Sequence, residues 1–302
     1  MMSFKEFTEN VLEAIRAKAG DAFQIKKHDV IKNNNVKRTG IDAIKSGEDI
    51  GPCVYLDAFY REYESDRMRF GEIVDEVYRL ILEQEETPDV DISGFRNWRT
   101  VQGDIYPKLI NAEQNKELLE KIPHRIFMDL AVAYYAVARN HAQEDIGTIL
   151  ICNGHMEMWG QEEENLYQTA MINMRADGEA DFTDINTIVE HIMDISLTKE
   201  DGNASRDTDM YVLTNRRKCF GAAEILDKKT LRMIADKVGD RFLVLPGSLH
   251  ETIVLPPKDE SEYERLAGMV REVNDTQIDI GERLSYHIYR YSRDEEALKI
   301  VA

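Results

Sequence analysis

A serine, a histidine and a glutamate fall within four residues at Ser248, His250 and Glu251. A hydrolase of the Ser–His–acid kind gathers those groups around one carbonyl. The hydroxyl attacks, the imidazole takes its proton and the carboxylate orients the imidazole. The run that carries them, Leu245-Pro-Gly-Ser-Leu-His-Glu-Thr-Ile-Val-Leu-Pro256, is the most distinctive on the chain. It sets a Pro-Gly-Ser turn between two apolar strands, 241–245 and 251–255. Neighbours on a strand point to opposite faces, so His250 and Glu251 cannot both reach Ser248 from one strand. The turn also lacks the Gly-x-Ser-x-Gly elbow that exposes a nucleophile. The favoured reading is a turn whose serine caps a backbone group and whose histidine packs at a strand end. A hydrolase would have to complete its site with distant residues such as Asp129 or His287.

Other groups invite a chemical reading. Asn215-Arg216-Arg217-Lys218 is a compact basic cluster. Arg216 and Arg217 could clasp a phosphate or carboxylate with their planar forks, or simply form a solvated turn. Cys152-Asn-Gly-His155 has half of a zinc-ligand spacing and no second pair at a suitable distance, so Cys152 reads as a core residue and no metal site is expected. There is no Gly-x-Gly-x-x-Gly and no Gly-x-x-x-x-Gly-Lys-Ser/Thr, hence no support for a nucleotide pocket, and no cofactor is expected.

The elements that must position these groups mix helices and strands without a regular βαβ alternation. That points to an α+β fold with a mainly antiparallel sheet. Phe4, Phe7, Val11, Leu12 and Ile15 recur at helical spacing over 3–19, with Ser3 at the N-cap, Glu6 three residues on and Gly20 at the end. Strands 23–32 and 35–44 meet at Asn33-Asn34-Asn35, residues that tolerate positive φ. Val54–Tyr63 and 70–85 read as helices. The acidic, Pro-bearing stretch Glu83–Ser93 reads as a linker, so a small α-β-β-α domain over 1–86 is expected before a larger α+β domain over 95–302. In the second part, 111–121 reads as a helix, Arg125–Arg139 as one long strand and Ile146–Asn153 as another. His155–Gly160 reads as a short helical turn, Glu162–Met174 as a helix, 176–183 as an acidic loop and 184–194 as a helix. Strands follow at 209–215, 241–245 and 249–255, helices at 228–238 and 259–274, and a last strand at 284–291.

The 302 residues carry 38 Lys/Arg against 57 Asp/Glu, a net charge of −19. Residues 1–50 hold nine basic and eight acidic side chains; the rest hold 29 and 49. The acidic body repels nucleic acid and anionic membrane and favours a basic partner. Lys26, Lys27, Lys32, Lys37, Arg38 and Lys45 make the 26–45 hairpin locally basic, but it lacks the interleaved aromatics that stack bases, so nucleic-acid binding is the weaker reading. No apolar run approaches the roughly 20 residues that span a bilayer, and the N-terminal residues lack the apolar stretch of a secretory signal. Three scattered cysteines fit a reduced, cytoplasmic protein. With no complete catalytic signature, the leading expectation is a non-enzymatic binding or regulatory protein. Its expected partner is another protein, with a second copy of the chain as the alternative.

Phe220-Gly-Ala-Ala-Glu-Ile-Leu226, the run Phe242–Pro256, Met269-Val-Arg-Glu-Val-Asn-Asp-Thr-Gln277, Pro52-Cys-Val-Tyr-Leu56, Met128-Asp-Leu130, Leu150-Ile-Cys-Asn153 and Met158-Trp-Gly160 together resemble a bacterial family of uncharacterised proteins over nearly the whole chain. The resemblance implies a bacterial cytosolic protein and speaks against splitting the chain into unrelated modules. It assigns no residue a role.

Overall fold

Two bonds between Ser3 and Glu6 start the first helix. The Glu6 N–H donates to Ser3 Oγ (3.3 Å) and the Ser3 N–H donates to Glu6 Oε2 (2.8 Å). Amides that a helix start leaves unpaired are thereby satisfied. The helix, α1 (Phe4–Ala19), ends at Gly20 and buries Phe7, Val11 and Ile15, as the spacing predicts. The computed structural model describes residues 2–46, 51–83, 93–139, 145–188 and 210–302. The chain divides into two compact units. One is Met1–Asp91 with Arg139–Ile146, the other Ile92–Ala138 with Gly147–Ala302.

In the first unit β1 (Phe23–Ile31) and β2 (Lys37–Lys45) pair antiparallel over nine residues. Asn34 and Asn35 turn the chain at φ 57° and 56°, the left-handed region that asparagine tolerates. Val54 to Tyr63 is not one helix. Residues Cys53–Tyr55 form β3 on the free edge of β2, and α2 (Asp57–Glu64) begins only afterwards. The switch is fixed where the Leu56 N–H donates to the Thr39 carbonyl (2.8 Å) and the Thr39 N–H donates to Asp57 Oδ2 (3.1 Å). The sheet, in order β1-β2-β3, is packed by α1 and by α3 (Phe70–Glu83), whose Ile73, Val74, Val77 and Ile81 share a core with Ile25, Ile41 and Leu56. Of the expected linker Glu83–Ser93, residues 84–92 lie outside the described residues.

The second unit opens with the short α4 (Trp98–Val101) and β4 (Ile105–Asn111). Pro107 is accommodated in β4 because β4 is the edge of its sheet, where a missing N–H breaks no ladder bond. The helix expected over 111–121 shrinks to α5 (Lys116–Leu119). The stretch Arg125–Arg139 is a hairpin rather than a single strand: β5 (Arg125–Phe127) turns at Met128, φ 57°, into β6 (Leu130–Arg139). β4 lies on one side of β6, and β5 and β7 (Asp145–Leu150) also pair with it. Then come α6 (Asn153–Trp159) and α7 (Glu163–Ala176).

A second sheet of six strands has the order β13-β12-β10-β11-β9-β8. Its members are β8 (Asp181–Asp184), β9 (Tyr211–Thr214), β10 (Arg241–Leu245), β11 (Thr252–Leu255), β12 (Tyr289–Ser292) and β13 (Ala297–Ile300), every neighbour antiparallel. β8 occupies what reads as an acidic loop. Of the helix expected over 184–194, residues 189–194 lie outside the described residues. α8 (Lys228–Val238) and α9 (Tyr263–Gln277) complete the unit. Leu109, Val132 and Tyr134 of the first sheet share one core with Phe242, Val244 and Tyr289 of the second. At about 25 cal/mol per Å² of buried apolar area, that core is the main favourable term holding the unit together. The α+β class with mainly antiparallel sheets is what the sequence leads one to expect.

Candidate functional site

Gly221 fixes the centre of the polar region in the second unit. A Cβ there would come within 2.6 Å of the His250 carbonyl oxygen and closer still to Thr214 Oγ1, so only glycine lets these segments meet. The Thr214 hydroxyl donates to the His250 carbonyl (2.7 Å), the Ala222 N–H to the Leu249 carbonyl (3.2 Å) and the Phe220 N–H to His250 Nδ1 (3.2 Å). The His250 ring lies flat against Phe220, with centroids 5.3 Å apart. With Nδ1 accepting, the imidazole proton sits on Nε2, 3.8 Å from Glu282 Oε1.

The three residues of the apparent Ser–His–acid group do not converge. Ser248 Oγ accepts from the His250 backbone N–H (3.1 Å), and the His250 imidazole is engaged by Phe220. Glu251 is exposed and lines an open groove of about 520 Å³ with Thr214, Lys218 and Asp181. Asp129 and His287 do come together, but around a different serine. Asp129 accepts from Ser285 Oγ (2.6 Å) and from the Tyr289 hydroxyl (2.5 Å), and its Oδ2 lies 2.9 Å from His287 Nδ1. Ser285 is fully buried, and its hydroxyl is donated to a carboxylate rather than to an imidazole. This cluster clamps the β5–β6 turn to the start of β12.

The two arginines differ from each other. Arg217 grips Asp177 through Nε (2.7 Å) and a terminal nitrogen (3.1 Å), reaches the Tyr106 hydroxyl (2.8 Å) and stacks its guanidinium on the Tyr106 ring. Arg216 lies against Gly178 (φ 112°), where an added Cβ would come within about 3 Å of the guanidinium. Cys152 and His155 form no metal pair, since the Cys152 N–H donates to His155 Nδ1 (3.0 Å). Burial pushes the Cys152 thiol up, and burial with the nearby Asp42 pushes the Cys53 thiol up to about 12. Among the described residues no three His, Cys, Asp or Glu side chains gather to hold a metal ion.

The residue that sequence reasoning misses is Glu224. It lies in the 3₁₀ turn Gly221–Leu226, is 5% exposed and lines a recess of about 300 Å³ with Met174, Ala180, Asp227, Thr230 and Met233. Its one hydrogen bond among the described residues is a long one from the Thr230 hydroxyl to Oε2 (3.4 Å). Burial pushes the carboxyl up to about 7, and the charges of Asp227 and Asp177 add to the rise, against a downward pull from Thr230. Its buried neighbour Asp227 is fully used. It accepts from the Thr230 N–H at the start of α8 (3.3 Å) and pairs with Arg175 Nε (2.8 Å). The signal in the sequence is a lone acid inside the apolar run Phe220–Leu226.

Among the described residues no helix is long and apolar enough to cross a membrane. No curated protein and no solved structure matches the chain. The model of a family of unknown function, DUF5688, matches residues 4–293, nearly the full length, and the chain belongs to that family.

Proposed function

We propose that this protein acts by binding a protein partner rather than by turning over a substrate, and that the partner docks on the α9 face of the second unit. One observation carries the reading. Met269 and Val273, one turn apart on α9, are 50% and 49% exposed, while Tyr263, Ala267, Val270 and Asn274 hold the opposite face in the core. Ile280, just beyond the helix, is exposed to the same degree. The surroundings are acidic: residues 259–283 carry eight Asp/Glu and three Lys/Arg. Two of those arginines are spent, Arg265 on Glu262 and Arg283 on Asp275. Apolar anchors in an acidic rim suit a basic amphipathic segment of another protein and disfavour nucleic acid.

Ser248 Oγ and His250 Nδ1 each accept from a backbone amide rather than bonding to each other, which supports binding over hydrolysis. Three free cysteines at separate positions agree with a reduced, cytoplasmic setting, which belongs to the same proposal.

The test uses the full chain and a set of synthetic helical peptides with leucines on one face and lysines on the other, followed by fluorescence anisotropy. Binding is expected at low salt and should weaken as salt rises. Met269→Asp with Val273→Asp should cost at least about tenfold in affinity, as loss of apolar anchors does. Binding that ignores the double substitution overturns the proposal. So does self-association of the chain through this face in sedimentation, or equal binding to single-stranded RNA.

A further inference from the structure

Buried carboxylates in folded proteins are paired, hydrogen-bonded or neutral, because isolated charge in a low-dielectric interior is costly. Asp227 meets that rule with Arg175 and the Thr230 amide at the start of α8. Asp177, only partly buried, is paired with Arg217 and Tyr106. Glu224 does not meet the rule. Among the described residues it and Asp227 are the two buried acids, no cation forms an ion pair with it, and its one hydrogen bond is the 3.4 Å contact from Thr230. It also lines an open recess rather than solid core.

We propose that this recess is a binding site for a small organic cation, a primary ammonium group carrying a short apolar body, with Glu224 as its counter-ion. The volume of about 300 Å³ sits at the lower end of small-molecule sites. The walls divide by chemistry. Met174, Met233 and Ala180 offer apolar surface, and methionine adapts to varied shapes. The polar floor is Glu224 with the Thr230 hydroxyl. The charges around Glu224 come from three segments: Arg175 on α7, Glu179 in the turn after it, and Asp227 with Lys229 at the start of α8. The charge of Asp177 also acts on Glu224, and Asp177 is already paired with Arg217. With Glu224 ionised the lining holds three acids and two bases, one negative charge in excess, and Arg175 is already neutralised by Asp227. A monocation balances that sum, whereas an anion or a dication does not. Occupation by an ammonium group stabilises the ionised form and so expels the proton that Glu224 otherwise keeps near neutral pH. Affinity is therefore expected to fall about tenfold per pH unit below 7 and to level off above it.

The test is methyl NMR on the full chain labelled at methionine, titrated with n-butylamine hydrochloride, n-butanol and sodium butyrate at matched ionic strength. The expected result is a saturable shift confined to Met174 and Met233 with the ammonium salt alone. Glu224→Gln should weaken it at least tenfold and abolish its pH dependence. Gln keeps the shape and removes a buried charge, so that variant is expected to fold. Met233→Trp, which fills the recess, supplies an independent loss of binding. Equal shifts with butanol or butyrate overturn the proposal. Shifts spread over the acidic surface and unchanged in Glu224→Gln also overturn it. Neither outcome touches the α9 proposal, which uses different residues and a different probe.

Discussion

Two carboxylates of the second unit, Asp129 and Glu224, sit in opposite chemical situations. Asp129 is held by the Ser285 and Tyr289 hydroxyls and by His287. Each of its two oxygens accepts from a group the fold itself supplies. Glu224 is more buried and, among the described residues, accepts one long hydrogen bond. A satisfied carboxylate in the interior is a joint between segments. An under-satisfied one beside a recess is a vacancy for something the chain does not carry. The contrast is one of donors supplied, not of residue type.

The contrast can be broken most directly at Asp129. Asp129→Ala strips three partners at once and leaves the Ser285 and Tyr289 hydroxyls buried without an acceptor. The expected loss of stability is about 3–4 kcal/mol in chemical denaturation, with Asp129→Asn costing less than half of that. A loss no larger than that of an ordinary surface substitution would deny Asp129 the role of a joint.

Glu224→Gln should do the reverse. The folded carboxyl titrates near 7, above the ordinary 4.5. The folded chain therefore holds the proton more tightly across that window, and stability falls as pH rises from about 4.5 to 7. At pH 8 the accumulated cost is about 3 kcal/mol, which the amide escapes. Denaturation curves at pH 5 and pH 8 should show a gain for Glu224→Gln only at the higher pH. Arg217→Ala bears on both stability and the Glu224 titration. It should cost about 2 kcal/mol by releasing the bonds to Asp177 and Tyr106. It should also move the Glu224 window upward, because Asp177 then stands uncompensated.

What the sequence makes legible is what is locally determined. The Ser3–Glu6 box, the Asn34-Asn35 turn, α8 and β10 are written in short-range spacing and need no partner to be read. The β5–β6 hairpin is hidden because Met128-Asp129 carries no Gly, Pro or Asn, and both flanks are apolar. β8 is hidden because Asp181–Asp184 becomes a strand only against β9. The last strand, placed at 284–291, is in fact the β12–β13 hairpin, turned through Glu296 at φ 45°. The site shows the same limit. Ser248, His250 and Arg217 stand out by residue type, but their roles are set by Phe220, Asp177 and Tyr106, distant in sequence. Glu224 draws no notice because one acid in an apolar run is indistinguishable from an exposed one until packing closes around it.

The most direct test follows the Glu224 side-chain carboxyl by carbon NMR from pH 4 to 9, with and without n-butylamine hydrochloride. A midpoint near 7 is expected in the free protein, with a fall towards the ordinary glutamate range when the amine is bound. A free midpoint near 4.5, or one that the amine leaves in place, would contradict the proposed role of Glu224.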